Sequence, residues 1–232
     1  MNSPRRRLVI AIDGPAGAGK STIASRLARK LGYVNLESGA MYRALGLKAI
    51  EQGAAVDDEA AMKALADGSR IELLPTPGGN RVLLDGRDVS ARIRERDVAD
   101  AASRLSVHPA VRAWMVARQR EMGARGGVVM EGRDIGTVVF PHAEVKIFLD
   151  ADPSVRAARR ILQHNAAEDP QRAARLTAEL QERDRRDSTR AVAPLVAAPD
   201  AVHLDSTALT IEQVVAEAER IVNERVAAIG AK

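Results

Sequence analysis

The feature that most constrains this 232-residue chain is a glycine-rich segment near its beginning. Residues 14–21 read Gly-Pro-Ala-Gly-Ala-Gly-Lys-Ser, which matches the spacing G-x-x-x-x-G-K-[ST]. The apolar run at 7–13 predicts a strand before this segment, and apolar residues at every fourth position of 20–31 predict a helix after it. In that context glycines let backbone N–H groups surround a phosphate at a helix start. The segment is therefore predicted to be a P-loop that binds a nucleoside triphosphate.

The residues of this loop have separate predicted contacts. Lys20 would reach the β- and γ-phosphate oxygens, and the Ser21 hydroxyl would be a magnesium ligand. The predicted triphosphate-binding residues are Gly14, Pro15, Ala16, Gly17, Ala18, Gly19, Lys20, Ser21 and Thr22. A GTPase would also carry the string Asn-Lys-x-Asp, which this chain lacks. An ATPase motor would need an acidic residue such as Asp150 after an apolar strand, but Asp152-Pro153 follows, so a strand-to-helix turn explains it as well.

Apolar runs alternate with helical patterns along the chain. Runs at 127–130, 145–149 and 201–204 predict further strands, with helices between them. The expected fold class is therefore α/β, with three layers and a mostly parallel sheet flanked by helices. Residues 70–95 differ, because they predict short antiparallel strands around turns and hence an insertion.

Local signals locate two helices and part of the core. Thr210 and Gln213 predict a capping box at the start of a final helix that runs to about residue 226. Asp152-Pro153 predicts an N-cap followed by proline in the first helical turn. The spacing of the apolar side chains predicts that three large ones lie in the core, namely Met41, Tyr42 and Trp114.

Composition narrows the class of protein. No apolar stretch approaches the roughly 18–20 residues that span a bilayer, and the early apolar run is too short for a signal peptide. The absence of cysteine excludes disulfides, zinc–thiolate sites and cysteine nucleophiles, so we expect a cytoplasmic protein. A net charge of +4 is too small to indicate nucleic acid. Arginines are 29 of the 35 basic residues, and their planar fork suits phosphate.

Three clusters combine arginine with acidic or small polar residues, at 37–43, 131–137 and 183–190. A charge run is usually a solvated helix face with internal salt bridges. Residues 154–190, however, hold nine arginines and no lysine. Fixed cations beside a triphosphate neutralise the oxygens of a migrating phosphoryl group. The third cluster is therefore predicted to take part in phosphoryl transfer.

The chain resembles the bacterial cytidylate kinases, which are P-loop nucleoside-monophosphate kinases. The similar segments follow the family's order over nearly the whole length, at 14–22, 38–43, 85–90, 132–141, 146–150 and 190–195. The resemblance implies one domain over residues 1–232. Within it, a region that binds the nucleoside monophosphate would hold the insertion at about 60–100, and an arginine-rich lid would cover about 152–190.

The resemblance also implies roles for single residues. The cytosine ring would be read by Ser103, Arg112 and Asp134. The acceptor phosphate would be held by Ser38, Arg43, Arg133 and Arg190. Arg183 and Asp187 would contact the sugar, and Arg186 would lie near the transferring phosphate. The implied catalytic residues are Lys20, Arg133, Arg183, Arg186 and Arg190. Glu37 and Glu131 stand where the family often has aspartate, and no role is assigned to either.

The implied reaction is the ATP-dependent phosphorylation of CMP and dCMP to CDP and dCDP, with Mg²⁺ brought by ATP. We expect a monomer with small-molecule substrates and neither a membrane nor a nucleic-acid partner. Two alternatives stay open. A P-loop kinase could act on another nucleoside monophosphate such as UMP. More remotely, a nucleotide-dependent protein could bind RNA, although five scattered aromatic residues offer no stacking platform for bases.

Overall fold

The computed structural model describes residues 7–76 and 79–230. Its strands are β1 Val9–Asp13, β2 Val34–Glu37, β3 Ile71–Thr76, β4 Gly79–Leu84, β5 Arg87–Asp88, β6 Val128–Gly132, β7 Val145–Asp150 and β8 Val202–Asp205. Its helices are α1 Lys20–Leu31, α2 Ser38–Glu51, α3 Glu59–Asp67, α4 Arg96–Leu105, α5 Pro109–Gly123, α6 Pro153–Gln163, α7 Pro170–Thr189 and α8 Ile211–Gly230. A 3₁₀ turn at Arg92–Arg94 and a π-helical segment at Ile135–Val139 complete the regular structure of the described residues.

A five-stranded sheet in the order β2-β6-β1-β7-β8 forms the centre of the molecule, and all of its strand pairs are parallel. β1 lies in the middle, where Ile10, Ala11 and Ile12 are fully buried. A strand in that position contacts helices on both faces, which is why its sequence is apolar without alternation. The predicted α/β class with a mostly parallel sheet is confirmed.

Helices cover both faces of this sheet and divide the core in two. On one face, Met41 and Leu45 of α2 pack with Met115 of α5, and Trp114 is partly buried against the same cluster. On the other face, Leu27 of α1 packs with residues of α8. The three-layer arrangement and the core placement of Met41 and Trp114 are confirmed.

Local predictions agree with the structure at several helix ends. α1 has the predicted bounds. At the start of α8, the backbone N–H of Thr210 donates to the Gln213 side chain at 2.8 Å, and the backbone N–H of Gln213 donates to the Thr210 hydroxyl at 3.2 Å, so the capping box is confirmed. Asp152 caps α6 as predicted, by accepting the backbone N–H of Ser154.

The insertion forms a separate three-stranded antiparallel sheet in the order β3-β4-β5, as predicted for 70–95. Strand β2, which was not predicted, lies at the edge of the main sheet, and only Leu36 of its residues is fully buried. Among the residues described, no helix has both the length and the apolar character needed to cross a bilayer.

Helices α2 and α4 pack closely together at Gly46. A Cβ atom on Gly46 would lie 3.0 Å from the backbone nitrogen of Ala102 and 3.3 Å from the Cβ of Ala101. Both of these atoms belong to α4, which is held in turn by the core, so they cannot move away independently. Gly39 of the same helix has no neighbouring atom within 4 Å of the corresponding position.

We expect Gly46→Ala to destabilise the protein by about 1–3 kcal/mol, because the added methyl group overpacks the contact between α2 and α4. Gly39→Ala is the matched control, since alanine favours the helix and should stabilise it by up to about 0.5–1 kcal/mol. Urea unfolding of both variants measures the two effects. Equal stabilisation by the two substitutions would contradict the close approach.

Candidate active site

The carboxyl ends of β1, β2 and β6 meet at one edge of the main sheet and open into a cleft of about 1640 Å³. Ligand sites in open α/β sheets lie at this edge. The cleft is lined by all the sequence-predicted site residues except Gly14 and Pro15, namely Ala16, Gly17, Ala18, Gly19, Lys20, Ser21, Thr22, Ser38, Arg43, Ser103, Arg112, Arg133, Asp134, Arg183, Arg186, Asp187 and Arg190. Residues far apart in the sequence thus form one site.

The loop between β1 and α1 has a backbone that depends on glycine. Gly14 has φ +148°, and a Cβ atom there would lie 1.9 Å from the carbonyl oxygen of Leu149. Gly19, the N-cap of α1, has φ +94°. These conformations are strained for other residues. They bring the loop back onto the start of α1, where free N–H groups and the helix dipole favour an anion.

Lys20 is buried beneath this loop, and its ammonium donates to the carbonyl oxygen of Pro15 at 2.6 Å. Burial, together with the nearby charge of Arg133, lowers the pKa of Lys20 to about 7. A neighbouring anion would favour the charged form and raise this pKa again. The lysine is therefore placed so that its protonation responds to a phosphate in the cleft.

Two glutamates lie beside the loop, and the sequence assigned a role to neither. The Ser21 hydroxyl donates to Glu131 at 2.8 Å, and Arg43 forms a 2.9 Å ion pair with Glu37. Glu37 and Glu131 are directly paired in the β2–β6 register. Burial and the charge of Glu131 raise the pKa of Glu37. Their position at the ends of adjacent strands is the signal that prediction missed, because β2 itself was not recognised.

The residues predicted to hold an acceptor phosphate surround the end of β6. The Ser38 hydroxyl donates to the carbonyl oxygen of Glu131 at 2.7 Å, and Arg133 donates to Asp187 at 2.7 Å. Arg190 lies 3.8 Å from the same Asp187 carboxylate. Burial would raise the pKa of Asp187, but the charges of Arg133 and Arg183 outweigh it and hold this pKa below its usual value.

The residues predicted to read the base form a buried group on the α4–α5 side of the cleft. Arg112 and Asp134 make an ion pair with side chains that are 4% and 9% exposed. The Arg112 guanidinium lies 5.9 Å from the centre of the Tyr42 ring. Tyr42 contacts the core as predicted, and it also lines the cleft, which was not predicted. Burial raises the pKa of Tyr42 to about 12, so its hydroxyl stays neutral.

Helix α7 contributes to both ends of the cleft. Near the loop, Asp184 accepts the backbone N–H of Ala16 at 3.3 Å. Near the base-reading group, Arg186 donates to Asp100 and to the Ser103 hydroxyl, each at 3.2 Å. The structure thus has Arg186 at the predicted base pocket, whereas Arg183 is the α7 cation whose charge acts on Lys20.

Asp150 does not line the cleft. Its carboxylate accepts the backbone N–H of Ala151 at 2.8 Å, and its side chain is 51% exposed. This geometry agrees with a strand-to-helix turn and gives no support to the role of an ATPase residue.

The comparison with known families decides the class of this site. Residues 10–224 match the family described as cytidylate kinase. The chain belongs to the cytidylate kinase family. It is therefore a P-loop kinase and a phosphotransferase.

Relatives within the family are similar over nearly their whole length. A cytidylate kinase of Solibacter usitatus is 53% identical over 227 residues, which cover 97% of this chain and 96% of the relative. A cytidylate kinase of Geobacillus kaustophilus is 51% identical, with coverage of 96% and 99%. The crystal structure of an uncharacterized protein from Eubacterium ventriosum has a TM-score of 0.50 at 10% identity, covering 94% of this chain and 99% of that chain, and it bears on the fold alone.

Two cations of this chain line the cleft without an acidic partner at ion-pair distance among the described residues. Arg183 is half-buried, and its buried Nε has no hydrogen-bond partner. Burial and the charge of Arg133 lower the pKa of Arg183. Arg160 of α6 is half-buried, and its pKa is lowered by burial and by the charge of Arg43. Arg160 was not among the predicted site residues, because nothing in the charge run distinguishes it from its neighbours.

We expect Mg²⁺–ATP binding at pH 8 to take up about one proton, because Lys20 with a pKa of about 7 is mostly neutral there and a triphosphate restores its charge. The uptake should disappear below about pH 6, where Lys20 is already protonated. Calorimetry in two buffers of different ionisation enthalpy measures it. Lys20→Ala should abolish it, and uptake that persists in this variant would contradict the assignment.

Proposed function

We propose that this site transfers the γ-phosphoryl group of ATP to CMP and dCMP, giving CDP or dCDP and ADP. The observation that carries the proposal is the buried Arg112–Asp134 pair beside Ser103, in the same cleft as the P-loop. Such a pair offers fixed donors and acceptors to a flat polar ring. The P-loop offers an anion site for a triphosphate, so the cleft has a place for each substrate.

The reaction needs little covalent help from the protein. An oxygen of the CMP phosphate already carries negative charge and attacks the γ-phosphorus, while the bond from that phosphorus to the β–γ bridging oxygen breaks and ADP leaves. No protein base is required. The protein's contribution is the in-line positioning of the two phosphates and the neutralisation of charge on the migrating group.

The cations of the cleft divide this work. Lys20 would bind the β- and γ-phosphate oxygens, which would replace the Pro15 carbonyl oxygen as the partner of its ammonium group. Arg43, Arg133 and Arg190 would hold the acceptor phosphate through planar guanidinium forks. Arg160 and Arg183 have no acidic partner at ion-pair distance among the described residues, so their charge is available to the migrating phosphoryl group.

The residues beside the P-loop suit magnesium. The Ser21 hydroxyl and a Glu131 carboxylate oxygen lie 2.8 Å apart, and hard oxygen ligands of this kind are the ones Mg²⁺ prefers. Ser21 would hold the ion directly, and Glu131 would hold it directly or through bound water. When bound, the ion would supply positive charge that offsets the charge of the triphosphate. Glu131 also fixes the hydroxyl rotamer of Ser21.

Helices α6 and α7 would act as the lid. From α7, Asp184 contacts the P-loop and Arg186 contacts the predicted base pocket, and from α6 Arg156 donates to the carbonyl oxygen of Ala16 at 3.0 Å. A closed lid excludes water, which would otherwise compete with CMP for the phosphoryl group.

Asp134 favours cytosine over uracil on chemical grounds. A carboxylate accepts a hydrogen bond from the exocyclic amine of cytosine. Uracil has a carbonyl oxygen at that position, so two hydrogen-bond acceptors would face each other and repel. Sites that hydrogen-bond their ligand reject unmatched analogues strongly. UMP phosphorylation is therefore the less favoured candidate. The monomeric state, cytoplasmic residence and the absence of a nucleic-acid partner stay predictions from the sequence.

ADP formation tests the proposal directly, with Mg²⁺–ATP and each of CMP, dCMP, UMP, AMP, dTMP or no acceptor. We expect strong activity with CMP and dCMP alone. Activity with another acceptor would keep the kinase and overturn the base assignment. ADP without any acceptor would indicate an ATPase. If no ADP forms under any condition, the proposed kinase activity is rejected. A protein that binds RNA, with an affinity that weakens steeply with salt, would then become the leading candidate.

We expect Asp134→Asn to lower kcat/KM for CMP by about 10²-fold, the loss of a charged hydrogen bond in a buried site. The discrimination against UMP should fall with it, because an amide can donate to the uracil carbonyl. Steady-state kinetics with both acceptors measure the change, and KM for ATP serves as the internal control. An unchanged ratio of CMP to UMP activity would exclude Asp134 from base reading.

We expect Arg160→Ala to lower kcat by about 10²-fold, as for the loss of one fixed donor to a transition state. Arg175→Ala is the matched control, since Arg175 belongs to the same lid but is exposed and does not line the cleft. That variant should keep activity within about twofold, since surface substitutions away from such features have small effects. Equal losses in both variants would mean that the net charge of the lid, rather than Arg160, is what matters.

A further inference from the structure

The three strands of the antiparallel insertion do not line the cleft, although they contact elements that do. None of the described residues of β3, β4 or β5 is among the residues that line the cleft. Yet the insertion contacts both ends of α2, the helix that begins with Ser38 and carries Arg43. Arg87 pairs with Glu51 at its far end. At its near end the contact is made by Asn80.

Asn80 is a buried polar side chain in β4 with a bridging pair of hydrogen bonds. Its amide oxygen accepts the backbone N–H of Glu37 at 2.9 Å, and its amide nitrogen donates to the carbonyl oxygen of Asn35 at 2.8 Å. These two backbone groups belong to the outer edge of β2, where a further strand of the main sheet would otherwise pair. The amide therefore takes the place of one strand residue.

Glu37, whose backbone N–H Asn80 binds, lines the cleft. Glu37 is both the last residue of β2 and the N-cap of α2, and its carboxylate binds Arg43 at 2.9 Å. The Nε of Arg43 has no partner and the arginine lines the cleft, so its direction depends on Glu37. A side chain of the insertion thus fixes the backbone from which the Glu37–Arg43 pair extends.

We propose that Asn80 is a positioning residue for the acceptor phosphate, acting through Glu37 on Arg43. This inference rests on the proposed role of Arg43 as a ligand of that phosphate. The insertion would then contribute to substrate binding without contacting the substrate. Asn80 of the small sheet fixes the backbone at the β2–α2 junction, and Glu37 at that junction orients Arg43. The P-loop between β1 and α1, where the donor triphosphate would bind, takes no part in the contacts from Asn80 through Glu37 to Arg43.

The test is steady-state kinetics of Asn80→Ala with both substrates. We expect KM for CMP to rise about 5–20-fold, the effect of losing two buried hydrogen bonds, with KM for ATP within about twofold of the parent. Arg87→Ala is the matched control, because it removes the exposed contact of the same sheet with the far end of α2 and should leave both KM values unchanged. Asn80→Ser, which keeps a small polar group and leaves room for a water to bridge the two backbone groups, should give a smaller rise and serves if the alanine variant does not fold.

A double substitution separates this inference from the site assignment on which it rests. If Asn80 acts through Arg43, adding Asn80→Ala to an Arg43→Ala enzyme should change KM for CMP by less than about twofold. Additive effects, equal increases in both KM values, or a lower melting temperature with unchanged KM would overturn the role of Asn80. If Arg43→Ala itself leaves KM for CMP unchanged, the placement of the acceptor phosphate fails instead.

Discussion

Electrostatic compensation by buried carboxylates is what allows this cleft to exist. Guanidinium groups confined together away from water repel one another, and desolvation adds to the cost. Asp187 lies between Arg133 and Arg190, at 2.7 Å and 3.8 Å, and Asp134 lies between Arg112 and Arg190. The compensation is incomplete near the P-loop, where burial and the charge of Arg133 lower the pKa of Lys20 to about 7. The excess positive charge that remains there is what an anionic substrate would neutralise.

The charge run at 183–190, at the end of α7, is only partly a solvated helix face. Arg183, Asp187 and Arg190 recur at intervals of three and four residues, so they share one side of the helix, and all three are buried or line the cleft. Arg185 points away and pairs with Glu182 in solvent. This segment therefore carries a stripe that faces the cleft and an ordinary surface stripe within the same eight residues. The stripe reaches from the P-loop side to the base-reading side of the cleft.

The fold was predictable wherever a strand or helix is buried enough to leave a periodic pattern. β1, β6 and β7 are of this kind, and the capping box of α8 is a local signal. The edge strand β8 has a single buried residue, like β2, and it was predicted because Ala201 extends its apolar run. β2 has two apolar residues in four and was not recognised, and without it the neighbouring glutamates and Asn80 could not be related to the site. Tyr42 was predicted only as a core residue, since an aromatic side chain at helical spacing has the same pattern whether or not one edge of its ring faces a ligand.

The amide of Asn80 also has a consequence for the solution behaviour of the chain. An open parallel sheet ends in strands whose free N–H and C=O groups can pair with another molecule, and this makes edges a route to aggregation. At β2 two of those groups, the N–H of Glu37 and the C=O of Asn35, bond to the Asn80 side chain and not to the backbone of a sixth strand in the same sheet. A side chain, unlike a strand, satisfies the edge without offering a new one. The insertion thereby terminates the sheet on this side.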